Sequence, residues 1–163
     1  NVRGELRLND YFLSNVSCVA RSYDNNIWVV DLSQYKLLKI NKIGEVIAES
    51  AYLNSTLSNE LNIYTIWEFN NEVYLGDSLV GVYVFDMYAT YSTTHYTPNN
   101  KAVVGKNGRM HLSIAGKLHL YNTLARDLIK TEVSLPKSTS FSLYNKALYY
   151  YSKNQVILKS LEN

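Results

Sequence analysis

Apolar and polar positions alternate along most of this chain with a period of two, in short runs separated by clusters of Asn, Asp, Ser and Lys. Such alternation puts successive side chains on opposite faces of an extended backbone, so each run predicts a β-strand. Four tight-turn signals, Asp24-Asn25-Asn26, Asn70-Asn71, Lys106-Asn107-Gly108 and Asn145-Lys146, recur at spacings of about 46, 37 and 38 residues. Asn, Asp and Gly tolerate the positive φ that hairpins between right-twisted strands require. A strand precedes each turn: Val16 to Arg21, Ile63 to Phe69, Ala102 to Gly105 and Ser140 to Tyr144. A run rich in β-formers follows each: Ile27 to Val30, Val73 to Leu75, Met110 to Ile114 and Ala147 to Tyr151. Third strands are predicted at Lys36 to Ile40, Val82 to Phe85, Lys117 to Tyr121 and Gln155 to Leu158. Fourth strands are predicted at Glu45 to Ala48, Thr90 to Thr94 and Leu128 to Val133, with none for the last unit.

Short four-stranded antiparallel units repeating at about 40 residues are the signature of β-propeller blades, whose sheets bury both faces against their neighbours around an axis. The predicted fold is therefore all-β, a propeller of about four four-stranded antiparallel blades at approximately 15–50, 62–96, 101–134 and 140–161, forming a single domain or propeller segment over 1–163. Residues 3–8 alternate as a lone outer strand. That phase fits a small ring closed by its own first strand, and also the C-terminal part of a larger ring of six or more blades, which is slightly favoured because very small rings are uncommon. The chain opens on Asn1 rather than Met and reads as a processed or partial product. One helical rival is Leu57, Leu61, Tyr64 and Trp67, which fall near one face at helical spacing; a weaker one spans Leu124 to Val133.

Composition narrows the function classes. Lys+Arg 16 against Asp+Glu 14 gives a net charge of +2, too balanced for a dedicated nucleic-acid or polybasic membrane binder. With 47% hydrophobic residues the chain can bury a core, yet no stretch is long and apolar enough for a transmembrane segment. The single cysteine, Cys18, lies in an alternating run and reads as a small buried hydrophobe, so no disulfide framework exists.

At Asp24-Asn25-Asn26-Ile27-Trp28-Val29-Val30-Asp31, then Lys36 to Asn41 and Gly44 to Ile47, the pattern resembles blades of bacterial cell-envelope propeller proteins, the Bacteroidota-type group above all. A second blade, Asn71 to Asp77 then Gly81 to Asp86, carries the same resemblance, which extends over nearly the whole chain. It implies the propeller fold and an extracytoplasmic location, in the periplasm or at the cell surface, and is weak for function because scaffolds, ligand binders and enzymes share this blade.

Candidate chemistry is sparse. His111 and His119 flank a predicted hairpin at Ala115-Gly116, where two imidazoles could begin a zinc site, but no cysteine or carboxylate is placed to complete it. No Gly-x-Ser-x-Gly elbow and no phosphate-cradling glycine loop occurs. Glu68 is the one carboxylate on the predicted inner strands, and one carboxylate cannot serve as both acid and base. Asp31, Asp77 and Asp86 end strands, where turn hydrogen bonding accounts for them. Trp28, Tyr74, Tyr83 and Tyr149 fall in the layers packed between blades. Tyr35, Tyr52 and Tyr96 instead fall in the second-to-third-strand turns or the crossovers, which open on one face of a propeller; with Lys137 and Lys153 they form the candidate binding face. The expected function is a non-catalytic interaction or scaffold module without a cofactor, meeting a protein partner or a missing propeller segment. The alternative is a sugar- or lactone-binding propeller, enzymatic or not, with an axial pocket.

Overall fold

The computed structural model describes residues 13–98, 101–104, 110–114, 117–122, 127–134, 141–144, 147–152 and 155–160. These form four separate antiparallel sheets in chain order. The first contains β1 (Val16–Arg21), β2 (Ile27–Asp31), β3 (Lys36–Ile40) and β4 (Val46–Glu49), paired in that order. A single helical turn, α1 (Leu53–Thr56), leads to the second sheet, β5 (Ile63–Phe69), β6 (Glu72–Asp77), β7 (Gly81–Asp86) and β8 (Tyr91–Tyr96). The third contains β9 (Lys101–Val104), β10 (Met110–Ile114), β11 (Lys117–Asn122) and β12 (Asp127–Ser134). The fourth has three strands among the described residues: β13 (Phe141–Tyr144), β14 (Ala147–Ser152) and β15 (Gln155–Ser160). The first strands lie against each other, β1 on β5 and β9 on β13, as the inner strands of successive blades do. The predicted outer strand at residues 3–8 lies outside the described residues.

Turn chemistry fixes the strand pairing. Asn70 and Asn71 both adopt positive φ, 55° and 64°, and join Phe69 to Glu72 in a two-residue hairpin whose twist suits the strands. Asn25 takes φ 66° in the β1–β2 turn, where the Asp24 carboxylate accepts the Asn26 amide at 3.1 Å. Between third and fourth strands one device appears twice. The Asn41 side chain accepts from the amides of Ile43 (3.0 Å) and Glu45 (2.9 Å), and the Asp86 carboxylate accepts from those of Tyr88 and Thr90, both 2.8 Å.

Burial follows from stacking the sheets. Trp28, Val30 and Leu37 of the first sheet, and Ile63, Ile66, Val73, Leu75, Tyr83 and Phe85 of the second, form one core between them, plugged by Leu53 of α1. On the other side of the second sheet Val82 meets Met110, Leu112 and Tyr121 of the third, with Trp67 and Tyr74 stacked at 5.4 Å beside them. The second sheet is thus apolar on both faces, which explains the unbroken run Val82-Tyr83-Val84-Phe85. Cys18 packs beside the first core as a partly buried thiol, and burial pushes its pKa up.

The first two sheets are also joined by a polar chain. The Lys39 ammonium, nearly buried, pairs with Asp24 at 2.8 Å and lies 5.0 Å over the Trp28 ring. The Trp28 indole N–H donates across to Glu68 at 2.5 Å. A charge held this way has its desolvation offset by a carboxylate and an aromatic face together.

The structure bears out the strand predicted over Ile63 to Phe69 and rules out the helical rival over Leu57 to Trp67. Residues 63–69 form strand β5, where Ile63, Thr65 and Ile66 favour extended backbone, and the helix is confined to Leu53–Thr56. Leu57 and Leu61 still reach the core, as irregular backbone. In the Leu124 to Val133 segment, Asp127–Ser134 is strand, and residues 123–126 lie outside the described residues.

Gly81 starts β7 with φ +135°, and a Cβ there would stand 2.3 Å from the His95 carbonyl oxygen and 2.5 Å from the Thr97 nitrogen. Both obstacles are backbone. Gly81→Ala is therefore expected to lower stability by about 2–4 kcal/mol, read as a fall in the urea midpoint at unchanged slope; an unmoved midpoint would contradict this packing.

Candidate functional site

Two chain segments build the site: the turn between β2 and β3, and the crossover from β4 through α1. Asp31, fully buried at the end of β2, organises the turn. One carboxylate oxygen accepts from the Ser33 amide (2.8 Å), the Ser33 hydroxyl (2.6 Å) and the Asn15 amide (3.3 Å), and the other accepts from the Gln34 side chain (3.3 Å). Burial alone would raise the Asp31 pKa, but the hydrogen bonds from Ser33 and Asn15 outweigh it and hold the carboxyl below its ordinary range. The second blade repeats the arrangement. Asp77 is buried and accepts from the amides of Leu79 (2.8 Å), Val80 (3.1 Å) and Asn62 (2.8 Å).

The turn ends at Tyr35, whose φ is +53°. A bulky side chain rarely occupies that left-handed region, where Asn or Gly would be less strained. Its carbonyl accepts the Leu53 amide at 2.7 Å, and Leu53 is wholly buried in the core, so turn and crossover are pinned together. The Ser50 hydroxyl adds to this by accepting the Leu37 amide at 3.0 Å and donating to the Ala51 carbonyl at 2.7 Å.

Between these walls lies an open groove of about 640 Å³ lined by Ser33, Gln34, Tyr35, Lys36, Glu49, Tyr52, Asn54 and Ser55. The Lys36 ammonium donates to the Ser50 carbonyl at 2.6 Å, lies 4.4 Å from the centre of the Tyr52 ring and stands 3.8 Å from the Glu49 carboxylate. Its charge is therefore largely balanced within the wall. Tyr52 is 60% exposed and Tyr35 39%.

Of the residues expected on a binding face, the structure brings Tyr35 and Tyr52 together in this groove. Tyr96, 77% exposed, occupies a related place on the second blade: Tyr52 and Tyr96 each immediately precede the residue whose amide bonds to a β2–β3-type turn, Leu53 to Tyr35 and Thr97 to Val80. Tyr96 is not part of the groove lining. Lys137 and Lys153 lie outside the described residues. Sequence reasoning missed Ser33, Gln34, Lys36, Glu49, Asn54 and Ser55; Glu49 stands opposite Leu38 in the β3–β4 pairing and meets Lys36 only on the diagonal, so the one signal along the chain was their nearness to the two loops already singled out.

Several groups capable of chemistry are committed to structure. Glu68 holds the Trp28 indole, and Asp24, Asp31, Asp77 and Asp86 hold an ammonium or backbone amides. Burial and the charge of Asp77 push the Tyr83 hydroxyl up to about 12, so it stays protonated. The pairing of His111 with Leu120, and of Leu112 with His119, puts the two histidines on opposite faces of their sheet, so they do not begin a shared metal site. Among the described residues no group of three His, Cys, Asp or Glu is placed to hold a metal, and no helix is long and apolar enough to cross a membrane.

No family model and no curated protein sequence matches the chain. Solved structures do match its fold. Virginiamycin B lyase from Staphylococcus aureus superposes with a TM-score of 0.61 at 12% identity, over 89% of this chain and 55% of the lyase. An auxiliary nutrient binding protein from Bacteroides ovatus gives 0.57 at 13% identity, over 84% of this chain and 36% of that one. The extracellular domain of a protein assigned to the hybrid two-component systems of B. thetaiotaomicron gives 0.59 at 16% identity, over 90% and 20%. At such identities the likeness establishes the propeller-type fold alone. The chain spans little more than half of the first neighbour and less of the other two.

Two outcomes follow from the turn. Asp31→Ala orphans several buried donors and is expected to cost about 2–4 kcal/mol at neutral pH. Because the folded pKa lies below the unfolded value near 4, this stabilisation is present above about pH 4 and fades as the pH falls through the folded pKa. Urea titrations of wild type and variant should thus converge in acid. Tyr35→Asn, by relieving the left-handed strain, is expected to raise stability by up to about 1 kcal/mol, seen as a higher melting temperature.

Proposed function

We propose that this chain is a non-catalytic β-propeller interaction module of a bacterial cell-envelope assembly, and that its fourth sheet is where further polypeptide packs. The observation that carries the reading is the state of β15. On the third strand of a three-stranded sheet, Val156 and Leu158 share one face and are 74% and 59% exposed. On the opposite face of the same sheet Leu148 is fully buried. In the second sheet the equivalent layers are apolar on both sides, because a neighbour covers each. A blade face and a strand edge left open among the described residues are what another sheet or an added strand would satisfy.

Two facts support the wider setting. The chain spans 55%, 36% and 20% of its structural neighbours, so each of them has polypeptide beyond the matched part. Two of these neighbours are Bacteroides proteins, one a nutrient binder and one an extracellular domain, in keeping with the envelope location that the blade pattern implies. The commitment of Glu68 and of the strand-ending aspartates to structural bonds favours binding over catalysis.

The isolated chain is expected to associate with itself through this face, giving a concentration-dependent mass by light scattering. Val156→Asp with Leu158→Asp should return a monomer with an unchanged β-sheet spectrum. A wild-type chain that stays monomeric at high concentration, with slowly exchanging β15 amides, would sink the proposal, since the face would then already be satisfied.

A further inference from the structure

We infer that the groove between the β2–β3 turn and α1 is a binding site for a short neutral oligosaccharide, independent of any polypeptide docking at β15. The inference starts from Tyr35. Left-handed backbone is supplied by Asn at three other positions, 25, 70 and 71, and by glycine at Gly44. Ala89 shares that conformation, but its side chain is buried in the core. Tyr35 is the one bulky residue among them within the described residues, it is 39% exposed, and it forms a wall of the groove. Strain retained for a side chain that the core does not need points to recognition at that position.

The lining selects the ligand chemistry. Two tyrosine rings offer apolar faces with polar edges, which suit the C–H faces of pyranose rings. Around them stand amide, hydroxyl and carboxylate groups from Gln34, Asn54, Ser55 and Glu49, suited to sugar hydroxyls. An anionic ligand is disfavoured because Lys36, the single cation of the lining, is already engaged by Glu49, the Ser50 carbonyl and the Tyr52 ring. An extended peptide would add along an open strand edge, but the groove is built on the β2–β3 turn and α1, where β3 is paired on both sides, and the end strand β4 gives it only the terminal Glu49. The volume of about 640 Å³ falls within the range of small-molecule sites, and both walls are pinned by the Leu53–Tyr35 and Ser50–Leu37 bonds, so little ordering is required on binding.

The test is titration of the intact chain with neutral tetrasaccharides of glucose, mannose, galactose and xylose, and with a hexuronate tetrasaccharide, read by amide shifts of Asn54 and Ser55. At least one neutral tetrasaccharide is expected to bind saturably. Tyr52→Ala should weaken it tenfold or more and Tyr52→Phe by less than threefold. Tyr35→Asn should weaken it comparably while leaving the melting temperature no lower than that of wild type, which separates recognition from folding. Tyr96→Ala, on the next blade and outside the groove, should bind as wild type does. The inference is overturned if no neutral sugar saturates up to the order of 10 mM, if only the hexuronate binds, or if Tyr96→Ala matches the loss at Tyr52. Light scattering of the β15 double variant reads a different surface, so failure of either idea is visible without the other.

Discussion

A sheet of three or four strands, each four to eight residues long, has too little depth to shelter its own side chains, and the described molecule is organised by that shortage. Each sheet needs a neighbour on each face. Between the first two sheets the need is met by Trp28, Leu37, Leu75 and Phe85, all essentially without solvent contact, with Leu53 filling the gap at the crossover. Buried carbon area of this kind contributes on the order of 25 cal/mol for each Å² removed from water, far more than any single polar contact here. The polar bond that crosses between them, Trp28 to Glu68, constrains the angle and register at which the sheets meet rather than driving the meeting, while the Lys39–Asp24 pair lies within the first sheet against Trp28.

What the sequence made legible was whatever depends on local alternation and on turn residues. Asn70-Asn71 demands a tight hairpin in isolation, and the runs flanking it have no other use for their Val, Tyr and Trp residues than a sheet. The all-β, blade-like architecture followed from repeating that unit. Elements shorter than a period were not legible. α1 is one turn long, begins at Tyr52 with no side-chain cap, and owes its helical backbone to the burial of Leu53, which lies in the core contributed by two other segments. The helical spacing of Leu57, Leu61, Tyr64 and Trp67 offered a rival to the strand predicted over Ile63 to Phe69, and the structure decides for the strand: Leu57 and Leu61 fill gaps from irregular backbone, and Tyr64 and Trp67 belong to β5.

The groove shows the same division. Tyr35 and Tyr52 stood out in the sequence because large aromatic residues in turns and crossovers lack an obvious core to join. Lys36 and Glu49 did not, since charged residues on short strands read as a solvated face; their meeting depends on the β3–β4 register, and the approach of Lys36 to the Tyr52 ring depends on how the crossover folds back. The burial of Lys39 is equally invisible along the chain, because it requires Trp28 and Asp24 to converge on one ammonium from a strand and a turn.

Leu53 joins two parts of the molecule that would otherwise be separate. Its side chain is lodged between the first and second sheets, while its amide is hooked to the carbonyl of Tyr35. The residue acts as a rivet through both layers, so a shear that slides one sheet over the other must also tug the turn. Mechanical load on the contact between sheets and the width of the cleft above it are thereby geared to one another.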